Sequence, residues 1–264
     1  MKKLSILMLV LLLVLTMISC SSESEEDTIL RVGMELKYPP FETIDVDGNP
    51  EGVSVRMAEA LGKHLGMEVE IVDTAYPSLI PALESGNIDI IISSMTINEK
   101  RMEVVDFSDP YTTSQLMLLA HKDSKVKSYT DLNDPDVIIS CKTGTIGALW
   151  AAANAPEAQI KNIDEEASAV LEVAQGNADV FIYDPLSIVN HQKNFPESTV
   201  AILEPLPNTK GWGIAMRKGE DDLREKINAW LKDAKTDGTF DTIREEYLKD
   251  KIKEFEENGL EFFF

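Results

Sequence analysis

The segment IISSMTINEKR, residues 91–101, runs from an apolar stretch into two serines, a threonine and then an arginine. Hydroxyls and a guanidinium in this order are an anion-binding set. Arginine presents a planar, two-pronged donor matched to a carboxylate, and helix-start amides with the hydroxyls of Ser94 and Thr96 add further donors. After an apolar strand over 88–92 the chain turns, and a short helix starts near Asn98, a favoured N-cap residue. Thr96 followed three residues on by Glu99 could equally form a capping box. In either case Arg101 falls within the first turn and faces the positive end of the helix dipole. That placement costs a few tenths to about 1 kcal/mol and calls for compensation. A salt bridge to Asp106 or Asp109 would supply it, and so would a bound anion.

A second charged position follows from an internal echo. LESGNIDIIISS (83–94) and VAQGNADVFIYD (173–184) share Gly-Asn-x-Asp ahead of an apolar strand. Gly-Asn stops a helix and the aspartate opens the next strand. In this register Ser94 and Asp184 are equivalents, each at the carboxyl end of its strand. Open α/β sheets bind ligands just outside those ends. Two such units facing each other would bring Ser94 and Asp184 into one cleft.

The surrounding pattern supplies the two units. ILRVGM reads as a strand, SVRMAEALGKHLG as a helix stopped by Gly66, VEIV as a strand, PSLIPALESG as a helix and IDIII as a strand. The alternation restarts with VIISC as a strand, GALWAAAN and EASAVLEVAQG as helices, and ADVFIY as a strand. Strand-helix-strand alternation implies parallel pairing with both sheet faces covered. About 235 residues suit two modest domains.

The start of the chain points to export. Lys2 and Lys3 precede an apolar run from Leu4 to Ile18, then Ser19, Cys20 and the polar stretch SSESEED. This is an export signal, shorter than the roughly 20 apolar residues of a membrane span. Its end resembles a lipoprotein processing site, although Met17 stands where such sites usually carry leucine. Residues 1–19 are then the signal peptide, Cys20 the lipidated first residue, and 20–28 a solvated tether. With Cys20 acylated, Cys141 has no partner for a disulfide and reads as a free buried thiol. Cleavage removes two lysines and no acid, taking the net charge from −21 to −23. Such a balance argues against nucleic acid as a partner. His64, His121 and His191 are widely spaced and show no metal-ligand pattern. No phosphate-cradling or nucleophile-elbow motif occurs.

Several segments in order resemble the extracellular solute-binding proteins of family 3, which serve polar amino-acid uptake by ABC transporters. They are YPPFE (38–42), LIPALESGNIDIIISSMTINEKR (79–101), VDFSDPY (105–111), KTGT (142–145), GNADVFIYD (176–184), GWGIAMRKG (211–219) and LKDAKTDGTFDTI (231–243). The resemblance implies a two-lobed α/β fold of the type II periplasmic-binding-protein kind. Each lobe is a mainly parallel sheet flanked by helices, and two crossing strands join them. Lobe 1 would comprise 29–116 and 210–250, lobe 2 would comprise 117–209, and 251–264 would be a tail beyond the usual family end. That tail could pack on a lobe or mark a contact surface.

The resemblance also implies roles. Arg101 corresponds to the clamp for a ligand α-carboxylate, shared with Thr96 and the backbone after Thr145, so that Ile146 acts through its N–H. Ser94, with Met95 beside it, and Asp184 resemble the α-ammonium subsite. Tyr38 and Tyr76 match the rings that sandwich the ligand side chain, and Glu35 and Lys142 match positions that read its tip. Glu35 and Lys142 could instead neutralise each other. GVS (52–54) replaces the usual Gly-Phe-Asp, a change expected to touch lobe packing more than ligand contact. The implied function is capture of a polar or charged L-amino acid and its delivery to a membrane permease. The protein would be a monomer without cofactor or metal, lipid-anchored and facing the periplasm or cell exterior. The alternative is a cyclohexadienyl dehydratase-like enzyme on the same fold, with Glu35 or Asp184 as general acid.

Overall fold

The structure is a computed structural model and describes residues 29–264 apart from 114, 208 and 258. The expected signal peptide, Cys20 and the tether lie outside the described residues.

In chain order the elements are β1 (Ile29–Met34), β2 (Thr43–Ile44), β3 (Pro50–Glu51), α1 (Val53–Leu65), β4 (Glu68–Asp73), α2 (Leu79–Glu84), β5 (Ile90–Ile91), α3 (Glu99–Met102) and β6 (Val105–Phe107). Then come β7 (Met117–His121), β8 (Ile138–Lys142), α4 (Ile146–Asn154), β9 (Gln159–Ile163), α5 (Glu166–Ala174), β10 (Val180–Tyr183), α6 (Pro185–Asn194) and β11 (Thr199–Ile202). The chain closes with β12 (Ala215–Arg217), α7 (Asp221–Ala234), α8 (Thr239–Tyr247) and α9 (Lys249–Glu257). One five-stranded sheet has the order β4-β1-β5-β12-β6, and a second has the order β11-β7-β10-β8-β9. Read from β9, the second sheet repeats the first position for position.

The sequence echo has a physical basis in this repeat. Asp89 Oδ2 accepts the Arg31 N–H at 2.9 Å, and Asp179 Oδ2 accepts the Ile138 N–H at 2.9 Å. In each lobe, then, the echoed aspartate pins the first central strand to the second. Gly86 and Gly176, with φ of 77° and 75°, turn the chain out of the preceding helix.

The sheets are mixed rather than mainly parallel. Each carries two parallel and two antiparallel pairings. The departure has a topological cause: β7 and β12 are laid down as the chain passes from one sheet to the other, so each runs against its neighbours. Alternate strand residues feed opposite faces. Val32, Ile90 and Met216 pack with Leu61, Trp230 and Ile243 of α1, α7 and α8, whereas Ile91 and Ala215 pack with Leu79 and Leu83 of α2. In the second sheet Ile139 and Ile182 face Ala148 and Ala151 of α4. Phe181 and Leu119 face Val170 of α5 and Ile188 of α6. Cys141 is buried in this lobe, and burial pushes its thiol up to about 12, which leaves it inert.

The two crossings between the sheets, 108–116 and 203–214, run side by side, with the Tyr111 N–H donating to the Trp212 carbonyl at 2.9 Å. A Cβ added to Gly211 would lie 1.9 Å from the Thr112 carbonyl oxygen. Gly211→Ala must therefore force the two segments apart. A loss of about 1–3 kcal/mol is expected from such overpacking, read as a lowered urea midpoint at unchanged slope.

The tail packs on a lobe. Phe263 stacks at 5.9 Å from Phe41 and edge-on at 5.3 Å from Trp212, and its carbonyl accepts the Thr113 N–H at 2.9 Å. From α9, Glu254 meets Lys193 of α6 at 2.7 Å, and Lys251 meets Asn190 at 3.0 Å. The tail thus touches both lobes and one crossing.

Candidate functional site

The carboxyl ends of both sheets face a single cleft. The first lobe lines it with Glu35, Tyr38, Glu42, Tyr76, Ser94, Thr96 and Trp212, and the second lobe with Thr145, Ile146, Tyr183 and Asp184. The crossings add Gln115, Leu116, Thr209 and Lys210.

Arg101 sits behind this wall. Asn98 caps α3, accepting the Arg101 N–H at 2.9 Å, so the cap is Asn98 and not Thr96. Thr96 instead forms a bridge with Trp212. Arg101 is 5% exposed, and its guanidinium donates to the Thr96 carbonyl at 2.5 Å, the Gly144 carbonyl at 3.0 Å and the Tyr76 hydroxyl at 3.3 Å. Among the described residues no carboxylate pairs with it. Asp106 is taken by Lys218 at 2.9 Å and the Gly219 amide at 2.8 Å, which sets aside the salt-bridge explanation for that residue. Asp109 forms no ion pair with Arg101 either. A buried cation satisfied only by neutral oxygens remains free for an anion.

Asp184 stands at the end of β10 and caps α6. Its Oδ1 accepts the Leu186 and Ser187 amides at 2.9 and 3.1 Å, and Pro185 fits the first helical position because it has no amide to satisfy. Its Oδ2 and the Tyr38 hydroxyl are both buried and neither makes a hydrogen bond of regular geometry, although the phenol lies close enough to favour the carboxylate. Burial and the Glu166 charge raise the carboxyl to about 6, partly offset by the Tyr38 phenol and the two amides. Such an oxygen lacks a cation.

Glu35 and Lys142 form a buried ion pair between the lobes, as the self-neutralising alternative has it. Glu35 Oε1 also accepts the Tyr76 amide at 3.2 Å. The Lys142 ammonium and the Arg101 guanidinium each lie 5.8 Å from the Tyr76 ring centre. Tyr38 meets Tyr183 edge-on at 6.1 Å. Thr145 caps α4, and Ile146 is its first residue, where amides lack intrahelical partners. Met95 is set apart from this group. Its side chain packs with Leu79, Leu83 and Ile97 in the lobe core, and it does not line the cleft.

Glu42 is a cleft residue that the sequence reading passed over. It accepts hydrogen bonds from Ser54 at 2.6 Å and Ser94 at 3.1 Å, and burial pushes its carboxyl up to about 8 against those two bonds. The signal was an acid directly after the apolar YPPF. The GVS departure matters more than expected, since Ser54 supports a cleft residue. Ser94 has a φ of 47°, a strained value for a residue other than glycine, which turns the strand end into the cleft.

Two α/β lobes closing on a cleft that sets a buried cation without an acidic partner against a buried carboxyl oxygen without a cation define a ligand-trapping binding protein. The sequence model of the bacterial extracellular solute-binding proteins, family 3, matches residues 30–250, and the chain belongs to that family. Among its relatives, the L-cystine-binding protein TcyJ of Escherichia coli (strain K12) is 30% identical over 226 residues, covering 85% of this chain and 84% of its own length. The crystal structure of an ancestral amino acid-binding protein, described as a precursor of cyclohexadienyl dehydratase, shares 38% identity with a TM-score of 0.73, covering 83% of this chain and 95% of that one. An ancestral arginine-binding protein bound to arginine shares 33% identity with a TM-score of 0.75, covering 84% of this chain and 98% of that one.

Proposed function

We propose that the protein is the substrate-binding component of an ABC importer, capturing a polar L-amino acid between its lobes and presenting it to a membrane permease. The observation that carries this reading is the pair of buried, unmatched charges: Arg101 in one lobe and Asp184 Oδ2 in the other. A zwitterion satisfies both, and neither lobe does so alone. The ligand carboxylate takes Arg101, Thr96 and the Ile146 amide, replacing neutral oxygens with a charge-assisted bond. The ammonium takes Asp184 Oδ2 and Ser94. Ligand then favours closure because these contacts exist only in the closed state. The side chain runs between Tyr38 and Tyr76 towards Glu35 and Lys142. Because that pair neutralises itself, the simplest match is an uncharged tip that both donates and accepts hydrogen bonds, such as an amide.

Family membership and the binding-protein relatives support a transport role over the enzymatic alternative. Anchorage through Cys20 would hold the protein beside its permease. Among the described residues no helix is long and apolar enough to cross a membrane.

A thermal-shift screen of ligand-stripped protein against the common L-amino acids tests the reading. A true ligand at a thousand times its Kd is expected to add about 4 kcal/mol of stability, a shift of several degrees. No shift with any amino acid at millimolar concentration sinks it.

A further inference from the structure

Glu42 has no task in the zwitterion scheme, yet it is 1% exposed and lines the cleft. Ser54 from α1 and Ser94 from the β5–α3 loop both donate to the same oxygen, Oε2. Two donors on one oxygen leave Oε1 free to carry a proton or to give it up. Its ionisable neighbours include Lys142 from β8 and Glu35 from the end of β1, the pair towards which the ligand side chain runs, and the Tyr111 phenol. Lys142 is engaged by Glu35, so among the described residues no cation closes on Glu42. Burial raises its carboxyl to about 8, Glu35 adds to the rise, and Ser54, Ser94 and Lys142 oppose it.

We propose that Glu42 lets one cleft hold both neutral and cationic side chains, keeping its proton beside an uncharged tip and releasing it beside a positive one. The proposal rests on the amino-acid reading above. Its physical ground is that an unmatched buried charge is costly, and a titratable acid beside an incoming cation removes the mismatch by ionising. In the step itself the Oε1–H bond breaks, the electron pair stays on the carboxylate and the proton passes to the buffer. The net charge of the filled cleft is then the same with either ligand.

Calorimetric titration at about pH 7.5, in two buffers of different ionisation enthalpy, tests this with L-glutamine and L-arginine as probes. Arginine is expected to release about three quarters of a proton at that pH and glutamine almost none. The ratio of arginine to glutamine affinity should fall about tenfold per pH unit below the Glu42 value. Asp184 cancels from that ratio, because both ligands carry the same ammonium. In Glu42→Gln the amide oxygen still accepts from both serines, so the ratio becomes independent of pH and arginine binding weakens.

A ligand-free measurement accompanies these. The folded value of Glu42 stands above its ordinary value of 4.5. Its stabilising contribution is therefore present below that value and lost as pH rises through about 8. The wild type should lose stability relative to Glu42→Gln across that window. A flat difference overturns the proposal. So does arginine binding without proton release, a ratio independent of pH in the wild type, or binding of only one probe or neither when some other amino acid binds. Each of those outcomes leaves the amino-acid reading standing. Absence of binding by every common amino acid overturns both.

Discussion

Replacing Arg101 with methionine is expected to abolish amino-acid binding while leaving the protein folded. The guanidinium is buried, donates to three neutral oxygens and has no carboxylate partner among the described residues. A ligand carboxylate entering the variant would be stripped of water with no cation to meet it. Truncating one partner of a buried, hydrogen-bonded charge pair costs about 2–5 kcal/mol, and the middle of that range weakens Kd roughly 300-fold. The fold loses less. Methionine keeps an apolar stem of similar length, and the oxygens left without a donor cost about 1–3 kcal/mol, within the 5–15 kcal/mol typical of a domain. Calorimetry and thermal melting on the same sample separate the two effects. A Kd within threefold of the wild type would show the cluster to be structural.

Lys142→Met should shift the preference of the cleft strongly towards cationic side chains. Removing the lysine strands Glu35, which is 6% exposed, as an unpaired acid between the lobes. Breaking a buried pair in this way costs about 3–5 kcal/mol, so the ligand-free variant should melt well below the wild type. L-arginine or L-lysine returns a cation to Glu35 and should restore most of that loss, whereas L-glutamine should not. Selectivity for arginine over glutamine, measured by competition, is expected to rise about 100-fold, corresponding to roughly 3 kcal/mol. Unchanged selectivity would mean that Glu35 does not read the ligand tip.

Local patterning made the element types legible. α1 follows from apolar residues at Met57, Leu61 and Leu65 with Gly66 as its stop, and the two echoed aspartates mark equivalent strands because each closes the same strand-pinning hydrogen bond. Arg101 stood out because a cation in a first helical turn needs a reason. The rest depended on contacts between distant segments. Which acid would answer Arg101 was undecidable until Asp106 was seen on Lys218, more than a hundred positions away. Glu42 was marked in the sequence only as an acid after an apolar run, because its burial and the Ser54 and Ser94 donors come from separate elements. Likewise, the antiparallel strands of each sheet are a property of the crossings, which leave no mark in local periodicity.

The position of Trp212 gives the molecule an optical reporter of its own. Its indole lines the cleft, lies 6.1 Å edge-on from Tyr38 and 5.3 Å from Phe263, and so bridges another cleft-lining ring to the tail. The chain has three tryptophans. Trp150 is tied through its N–H to Pro207 at 3.1 Å, beside a crossing, and Trp230 packs against Phe240 deep in the first lobe. One fluorophore therefore watches the trap, one the joint and one a region that neither should disturb. Emission from single-tryptophan variants would resolve filling, bending and background as three separate colours of signal in one unlabelled protein.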